Sequence, residues 1–338
     1  MLLKSVLICI VSFVLIYDPS IAVKSFRESY ELIINILLPS MLPFMIISQI
    51  VVLTDIKNVI AFPVKVIFKI LRLPCDLASF FLCSVIGGYP TGIKALCAGC
   101  ESKNLTEQRA REYLPFLINA GPGFVIMAVG KIMFGSVGLG VIFYISEVLS
   151  SLVIGKILYR ENECSISKAR RGMPFSDALI ISVNDSSEAM VGICGFVLFF
   201  SLITSIIKKV LGDCFFSSFI SSIMEVTNGC KTASGLERGY LLASFLISFS
   251  GISCLYQIKA IAYKNNIKTA KIIFIKLFEG ILAVLITFLL VKLYPVTVTA
   301  VTLKTPPLCA YSPNRLLETI LIGMMFCQIF VNTDFSKA

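Results

Sequence analysis

A chain of 338 residues that is 57% hydrophobic and 15% charged is far more apolar than the roughly 45–50% of soluble domains, and no water-soluble fold could cover that surface. Its net charge of +10 sits in clusters between apolar runs, Lys57 to Arg72, Lys103 to Arg111, Arg160 to Arg171 and Lys259 to Lys271, which marks loops and interfaces and argues against a nucleic-acid partner. Histidine is absent and neither a GK[ST] phosphate loop nor a nucleophile elbow occurs, so nothing points to an enzyme, to ATP hydrolysis in cis, or to a cofactor or metal.

The chain opens with an apolar helix from Leu2 to Tyr17. Asp18-Pro19-Ser20 is a poor small-x-small cleavage site, so the helix is expected to remain as an N-terminal transmembrane segment over residues 1–30. Leu32 to Leu53 follows, close to the roughly 20 residues that span hydrocarbon. It begins a stretch, residues 31–160, that closes with the run Leu139 to Leu158. A basic loop over residues 161–174 leads to a second stretch, residues 175–294, with the runs Val191 to Ile207 and Ile272 to Leu293. Residues 295–338 comprise a proline-rich loop from Pro295 to Pro313, outside the bilayer, and a C-terminal span from Leu316 to Phe330. The expected fold class is an all-α polytopic membrane protein without a separate soluble domain. Basic clusters follow so many spans that they cannot share one side unless re-entrant hairpins intervene, which leaves the orientation open. Of the 12 cysteines, most lie inside apolar runs (Cys9, Cys83, Cys194, Cys254, Cys327) and read as small hydrophobes. Cys97 and Cys100 have CxxC spacing but no second pair, too little for a zinc or redox site.

Read against itself, the chain repeats its parts in order, the pattern of membrane proteins whose halves enclose a central site. Leu32 to Asn35, Pro39-Ser40 and Phe44 to Val52 correspond to Leu179 to Ser182, Ser186-Ser187 and Val191 to Phe199, both read as polar-interrupted helix starts. Gly87-Gly88-Tyr89-Pro90-Thr91-Gly92 and Met224-Glu225-Val226-Thr227-Asn228-Gly229 each look like the tip of a hairpin. An Arg-x-Tyr-Leu entry follows each tip, at Arg111 and at Arg238. Next comes a break, Asn119-Ala120-Gly121-Pro122-Gly123 in the first half and Ser248-Phe249-Ser250-Gly251-Ile252-Ser253 in the second. A long span with one acid ends each half, Glu147 and Glu279. Broken backbone at membrane depth is tolerated only where it is covered by protein or lines a cavity, and helix N-termini there suit anionic or polar guests. The bland alternative is that these glycines only let helices pack closely.

These motifs resemble the sporulation integral membrane proteins of the YlbJ type, which carry two nucleoside-recognition Gate domains. The pieces that carry the resemblance are Leu38-Pro39-Ser40-Met41-Leu42-Pro43-Phe44, Gly88-Tyr89-Pro90-Thr91-Gly92 with Lys94, Asn119-Ala120-Gly121-Pro122, Gly195-Phe196 with Phe200-Ser201, Glu225-Val226-Thr227-Asn228-Gly229, and Ser248-Phe249-Ser250-Gly251 with Gln257. Each is short, but six in one order form a specific signal. The first and last segments show no such motif, and Cys254-Leu255-Tyr256 stands where a histidine-containing stretch is expected. The family is similar to the concentrative nucleoside transporters, which implies two structural repeats with re-entrant hairpins and broken helices. It also implies a solute carrier of the outer forespore membrane, moving dipicolinic acid from mother cell towards forespore. A nucleoside-type carrier and a non-transporting membrane scaffold needed for spore assembly are the alternatives.

For an aromatic dianion the expected binding residues are Gly88, Tyr89, Pro90, Thr91, Gly92 and Lys94 at the first tip, and Thr227, Asn228, Gly229 and Lys231 at the second. Asn119, Gly121, Pro122, Ser250 and Gly251 are expected from the breaks. The two lysines are read as carboxylate partners or as snorkelling side chains, and Tyr89 as a stacking surface. Glu225 is the candidate for proton or sodium coupling, with a cap on freed N–H groups as the rival role. Glu147 and Glu279 are read as partners of Lys131 and Lys276, or as locks between helices, ahead of a transport role. Asp185 and Glu188 are read as caps at a helix start. Lipid and a small-molecule solute are the expected partners, and homo-oligomer contacts are left unspecified.

Overall fold

The structure, a computed structural model, describes residues 11–75, 77–101, 105–158, 172–212, 214–263, 267, 269 and 272–294. The first half of the N-terminal helix, most of the basic loop 161–174, the loop Pro295 to Pro313 and the expected span Leu316 to Phe330 lie outside those residues. Every element in the described residues is helical.

Residues 11–17 are helical, and Asp18 then caps α1 (Pro19–Leu32) by accepting the Ser20 N–H at 3.1 Å. The Lys209 ammonium, together with Ser20, holds the Asp18 carboxyl below the usual carboxylate range. A π turn (Ile33–Leu37) joins α1 to α2 (Leu38–Leu53) without a stop. The polar interruption at Asn35 and Pro39 is therefore a local widening of one 35-residue helix. Proline in the first turn lacks only an N–H that a widened turn leaves unused. The amphipathic α3 (Ile56–Leu71) closes on Arg72 in the left-handed conformation.

Two short apolar helices, α4 (Leu77–Gly87) and α5 (Tyr89–Glu101), form the first hairpin. At about 1.5 Å per residue each covers roughly half of the ~30 Å hydrocarbon core, so the pair can enter and return but not cross as two spans. Gly88 makes the bend with φ +78°. A short α6 (Glu107–Tyr113) follows, its first turn capped by Thr106, which accepts the Arg109 N–H at 3.3 Å. After a 3-10 turn (Leu114–Leu117) the chain is irregular through residues 118–121, then resumes as a π-helical segment (Gly123–Met133). The first half ends in the long α7 (Val137–Leu158).

The second stretch also runs from a long helix through a hairpin and a broken helix to a final long span, without counterparts of α3 and α6 among the described residues. The 37-residue α8 (Phe175–Leu211) is about 55 Å long. It runs straight through Asn184 to Glu188, so no helix starts there and the capping roles expected for Asp185 and Glu188 do not hold. A hairpin of α9 (Phe215–Met224) and α10 (Val226–Ser234) turns at Glu225. Next, α11 (Gly239–Phe249) and α12 (Gly251–Tyr263) are separated by Ser250 and Gly251, both with positive φ (+71° and +66°). The half closes with α13 (Ile272–Leu293).

Five helices among the described residues are long and apolar enough to cross a membrane: Pro19–Leu53, Val137–Leu158, Phe175–Leu211, Gly239–Ala262 and Ile272–Leu293. The inside-out character of α13 gives the same answer. Phe274, Phe278, Leu285 and Phe288 are exposed, whereas Lys276, Glu279 and Thr287 are buried. Such a helix is matched to lipid outside and protein within.

The two halves share their cores. One cluster joins Leu77, Phe81, Tyr89 and Ile93 of the first hairpin to Leu255, Ile258 and Ala262 of α12. The other joins Val226, Cys230 and Ala233 of the second hairpin to Phe124, Val125 and Ala128 after the first break. Each hairpin thus packs on the broken helix of the other stretch, and residues 31–160 and 175–294 share their cores. Small residues allow close approach elsewhere: a Cβ on Gly130 would lie 2.4 Å from the Gly140 Cα. Gly140→Val is expected to overpack this contact and destabilise the protein by about 1–3 kcal/mol, read as a lower melting temperature in detergent.

Candidate functional site

The hairpins and breaks converge because each half places a glycine where its tip meets its own break. A Cβ on Gly88 would sit 3.1 Å from the Gly121 N, and one on Gly251 would sit 3.2 Å from the Val226 N. A Cβ at either position would press on the facing backbone, and both glycines also take positive φ.

A cavity of ≈ 40 Å³ lies between the two tips, with room for about three waters at roughly 10–15 Å³ each. Of the residues expected at the site, Gly88, Tyr89 and Pro90 line it from the first tip, Glu225 and Thr227 from the second, and Gly121 and Ser250 from the two breaks. Thr91, Gly92 and Asn119 are packed behind that wall. The Thr91 hydroxyl donates to the Gly87 carbonyl at 3.3 Å, and Asn119 Nδ2 donates to Ser84 Oγ at 2.9 Å. Pro122 and Gly251 flank the wall without lining it. Asn228 and Gly229 face α8 and α9 instead: Asn228 Nδ2 donates to Ser201 Oγ at 2.8 Å, and Gly229 packs on Ser222.

Neither lysine lines the cavity. Lys94 donates to the Asp185 carbonyl at 3.0 Å and lies 3.8 Å from a Glu188 carboxylate oxygen, while Lys231 is exposed. Their expected reach to a bound carboxylate is corrected by this placement. α5 turns Lys94 towards α8, where Asp185 also accepts from Gln49 Nε2 at 2.9 Å. The acids of the Asn184 to Glu188 stretch therefore bind α2 and α5 to the middle of α8.

Glu225 caps α10. Its carboxylate accepts the Thr227 N–H at 3.0 Å and the Asn228 N–H at 2.7 Å, and the residue is 1% exposed. Both oxygens are engaged, and two N–H groups that the helix cannot use internally are satisfied inside the membrane. Glu225→Gln is expected to lose one of the two bonds, because an amide NH2 would face a backbone N–H. A fall of about 1–2 kcal/mol in stability follows, measured by thermal unfolding in detergent.

Gln257, Cys254, Phe124, Ile193 and Val197 line the wall without having been expected as binding residues. Tyr89 donates through its hydroxyl to Gln257 Oε1, tying the first tip to α12, and Gln257 Nε2 donates to Ser253 Oγ at 3.4 Å. Gln257 and Cys254 stand on one face of α12, six and three residues beyond Gly251, which is the signal that could have found them. Phe124, Ile193 and Val197 supply apolar wall from the π-helical segment and α8.

The acids of the long spans lie just behind the first break. The Ala120 N–H donates to Glu147 Oε1 at 2.6 Å; Lys276 Nζ donates to the Ile118 carbonyl at 2.6 Å and to Glu279 Oε1 at 2.8 Å. The expected Lys276–Glu279 pair forms. Lys131 is exposed and does not pair with Glu147.

The chain is 21% identical over 324 residues to the sporulation integral membrane protein YlbJ of Bacillus subtilis (strain 168), an alignment that covers 82% of this chain and 79% of that protein. No protein-family model matches the chain, and no solved structure matches it.

Proposed function

We propose, on the premise that this chain belongs to the YlbJ-type family of sporulation integral membrane proteins, that it carries a small polar aromatic solute across a membrane of a sporulating cell. The observation behind this reading is the cavity on which both hairpin tips and both breaks converge, inside a bundle whose outer face is apolar. Broken backbone at such a depth is stable only if its polar groups have partners, and a guest supplies partners that vary with occupancy. The space between the tips is too small for a ring, so binding requires the tips to separate.

Dipicolinic acid, moving from mother cell towards forespore across the outer forespore membrane, is the guest that the family suggests. Tyr89 and Phe124 offer aromatic surface, and Tyr89, at the first position of α5, has a backbone N–H without an intrahelical acceptor. The wall contains one carboxyl group, Glu225, and no lysine or arginine among the described residues. A dicarboxylate would therefore enter more readily as the acid, having taken up its two protons from the aqueous side before binding. The same wall favours a second reading, a neutral nucleoside-type solute, whose hydroxyls would meet Glu225, Thr227 and Gln257.

Purified protein in lipid vesicles, offered labelled dipicolinate or labelled uridine with and without a proton or sodium gradient, tests the proposal. Saturable uptake of one solute above empty vesicles is expected, with Tyr89→Ala lowering it by about tenfold if the ring contributes ~1.4 kcal/mol to binding. Uptake of neither solute would leave the scaffold reading standing.

A further inference from the structure

Two carboxyl groups and one ammonium are gathered behind the first break, each no more than 1% exposed. Lys276 is engaged by Glu279 and by the Ile118 carbonyl, leaving Glu147 Oε1 on the Ala120 N–H and Glu147 Oε2 buried without any hydrogen-bond partner. Fully ionised, this cluster keeps one uncompensated negative charge in a low-dielectric interior, where such a charge is disfavoured. A proton on Oε2 removes the charge. Asn119 Oδ1, in the residue preceding Ala120, and Ser151 Oγ, one turn along the same face of α7, are also buried without hydrogen-bond partners.

We infer that Glu147 carries an exchangeable proton whose release and uptake are tied to the position of the first break. On release the O–H bond at Oε2 breaks, the electron pair stays on the carboxylate, and the proton passes to water in the cavity beyond Ala120, which lines it. The new negative charge strengthens the pull on the Ala120 N–H and competes with Glu279 for Lys276. Because Lys276 also holds the Ile118 carbonyl, that competition acts directly on residues 118–120. Gly121, next in the chain, touches the first tip at Gly88. Proton and guest therefore act on one backbone segment; that coupling rests on the carrier reading, and the proton site itself does not.

The charged groups that act on Glu147 are Lys276 and Glu279 from α13. On its own helix Tyr144 lies nearby and donates to the Val85 carbonyl at 2.6 Å, while Lys156 stands at the far end. The break and the 3-10 turn contribute no titratable side chain. Lys131 of the π-helical segment is exposed, and Tyr240 at the start of α11 is the titratable group of that helix. Glu225, by contrast, already has both oxygens satisfied.

The chain contains no tryptophan, so Phe124→Trp, beside the break, gives a single fluorescent reporter. In vesicles its emission should titrate with pH in one step, and adding Glu147→Gln should abolish that step. Emission that is flat with pH, or a step that survives Glu147→Gln, overturns the proposal. Should Glu147→Gln fail to fold, Glu147→Asp, one methylene shorter, should shift the midpoint; an unmoved midpoint overturns it. In the uptake assay, stimulation by a proton gradient should be lost in Glu147→Gln. Retained stimulation, or a sodium gradient driving uptake through Glu147, counts against the proposal. The fluorescence readout needs no flux, so absence of transport sinks the carrier reading alone.

Discussion

Gly88→Ala is expected to cut solute flux about tenfold or more, equivalent to ~1.4 kcal/mol on the transport step, whereas Gly212→Ala leaves flux unchanged. Both glycines have positive φ, +78° and +76°. Alanine is strained there, so both variants should melt at a lower temperature. They differ in surroundings. A Cβ on Gly212 meets nothing within 4 Å, whereas one on Gly88 meets the Gly121 N at 3.1 Å and the Gly121 Cα at 3.5 Å. The added methyl wedges the first tip away from the first break, on the wall of the cavity. Uptake per mole of purified protein, measured beside the melting curves, separates the two effects. Equal flux losses in both variants, or full flux in Gly88→Ala, would remove the tip from the pathway.

The largest stability effect is expected from Lys276→Met. Lys276 is fully buried, and its loss strands Glu279 and leaves Glu147 without its cationic neighbour. Removing one partner of a buried ion pair typically costs about 3–5 kcal/mol. The Ile118 carbonyl, which accepts from Lys276 at 2.6 Å, loses its partner as well. The variant should accumulate poorly and melt well below the parent. Adding Glu279→Leu removes the stranded charge and should recover most of the loss, because replacing both members of a buried pair with apolar groups is often close to neutral. Thermal unfolding of the two variants decides the matter: a single variant as stable as the parent, or a double variant no better than the single, refutes the account.

Part of the site was legible because glycine and proline act locally. Gly88 and Gly251 take positive φ, Gly121 sits against the Gly88 backbone, and the structure brings all three to the contacts between tips and breaks. Glu225 was legible as an acid at a tip, and its cap on Thr227 and Asn228 needs only neighbours in the chain. Lys94 and Lys231 misled, since equal offsets from two tips do not fix which face of a helix meets the cavity. Asp185 and Glu188 misled as well. Acids before an apolar run look like a helix start, but α8 continues through them because Gln49 and Lys94 supply partners from α2 and α5.

The sequence alone determined that this chain is an apolar, all-helical membrane protein and that its backbone bends at Gly88 and at Gly251. Those properties follow from hydropathy along a segment and from the conformations open to single residues. Only the tertiary structure decided which parts meet: Tyr89 with Gln257, Lys276 with the Ile118 carbonyl, Glu147 with the Ala120 N–H, and each hairpin with the other half's broken helix. The physical reason is range. Apolarity and φ preferences are fixed residue by residue, whereas a hydrogen bond between groups 168 or 158 positions apart exists only once the packing of the whole bundle has set the distance.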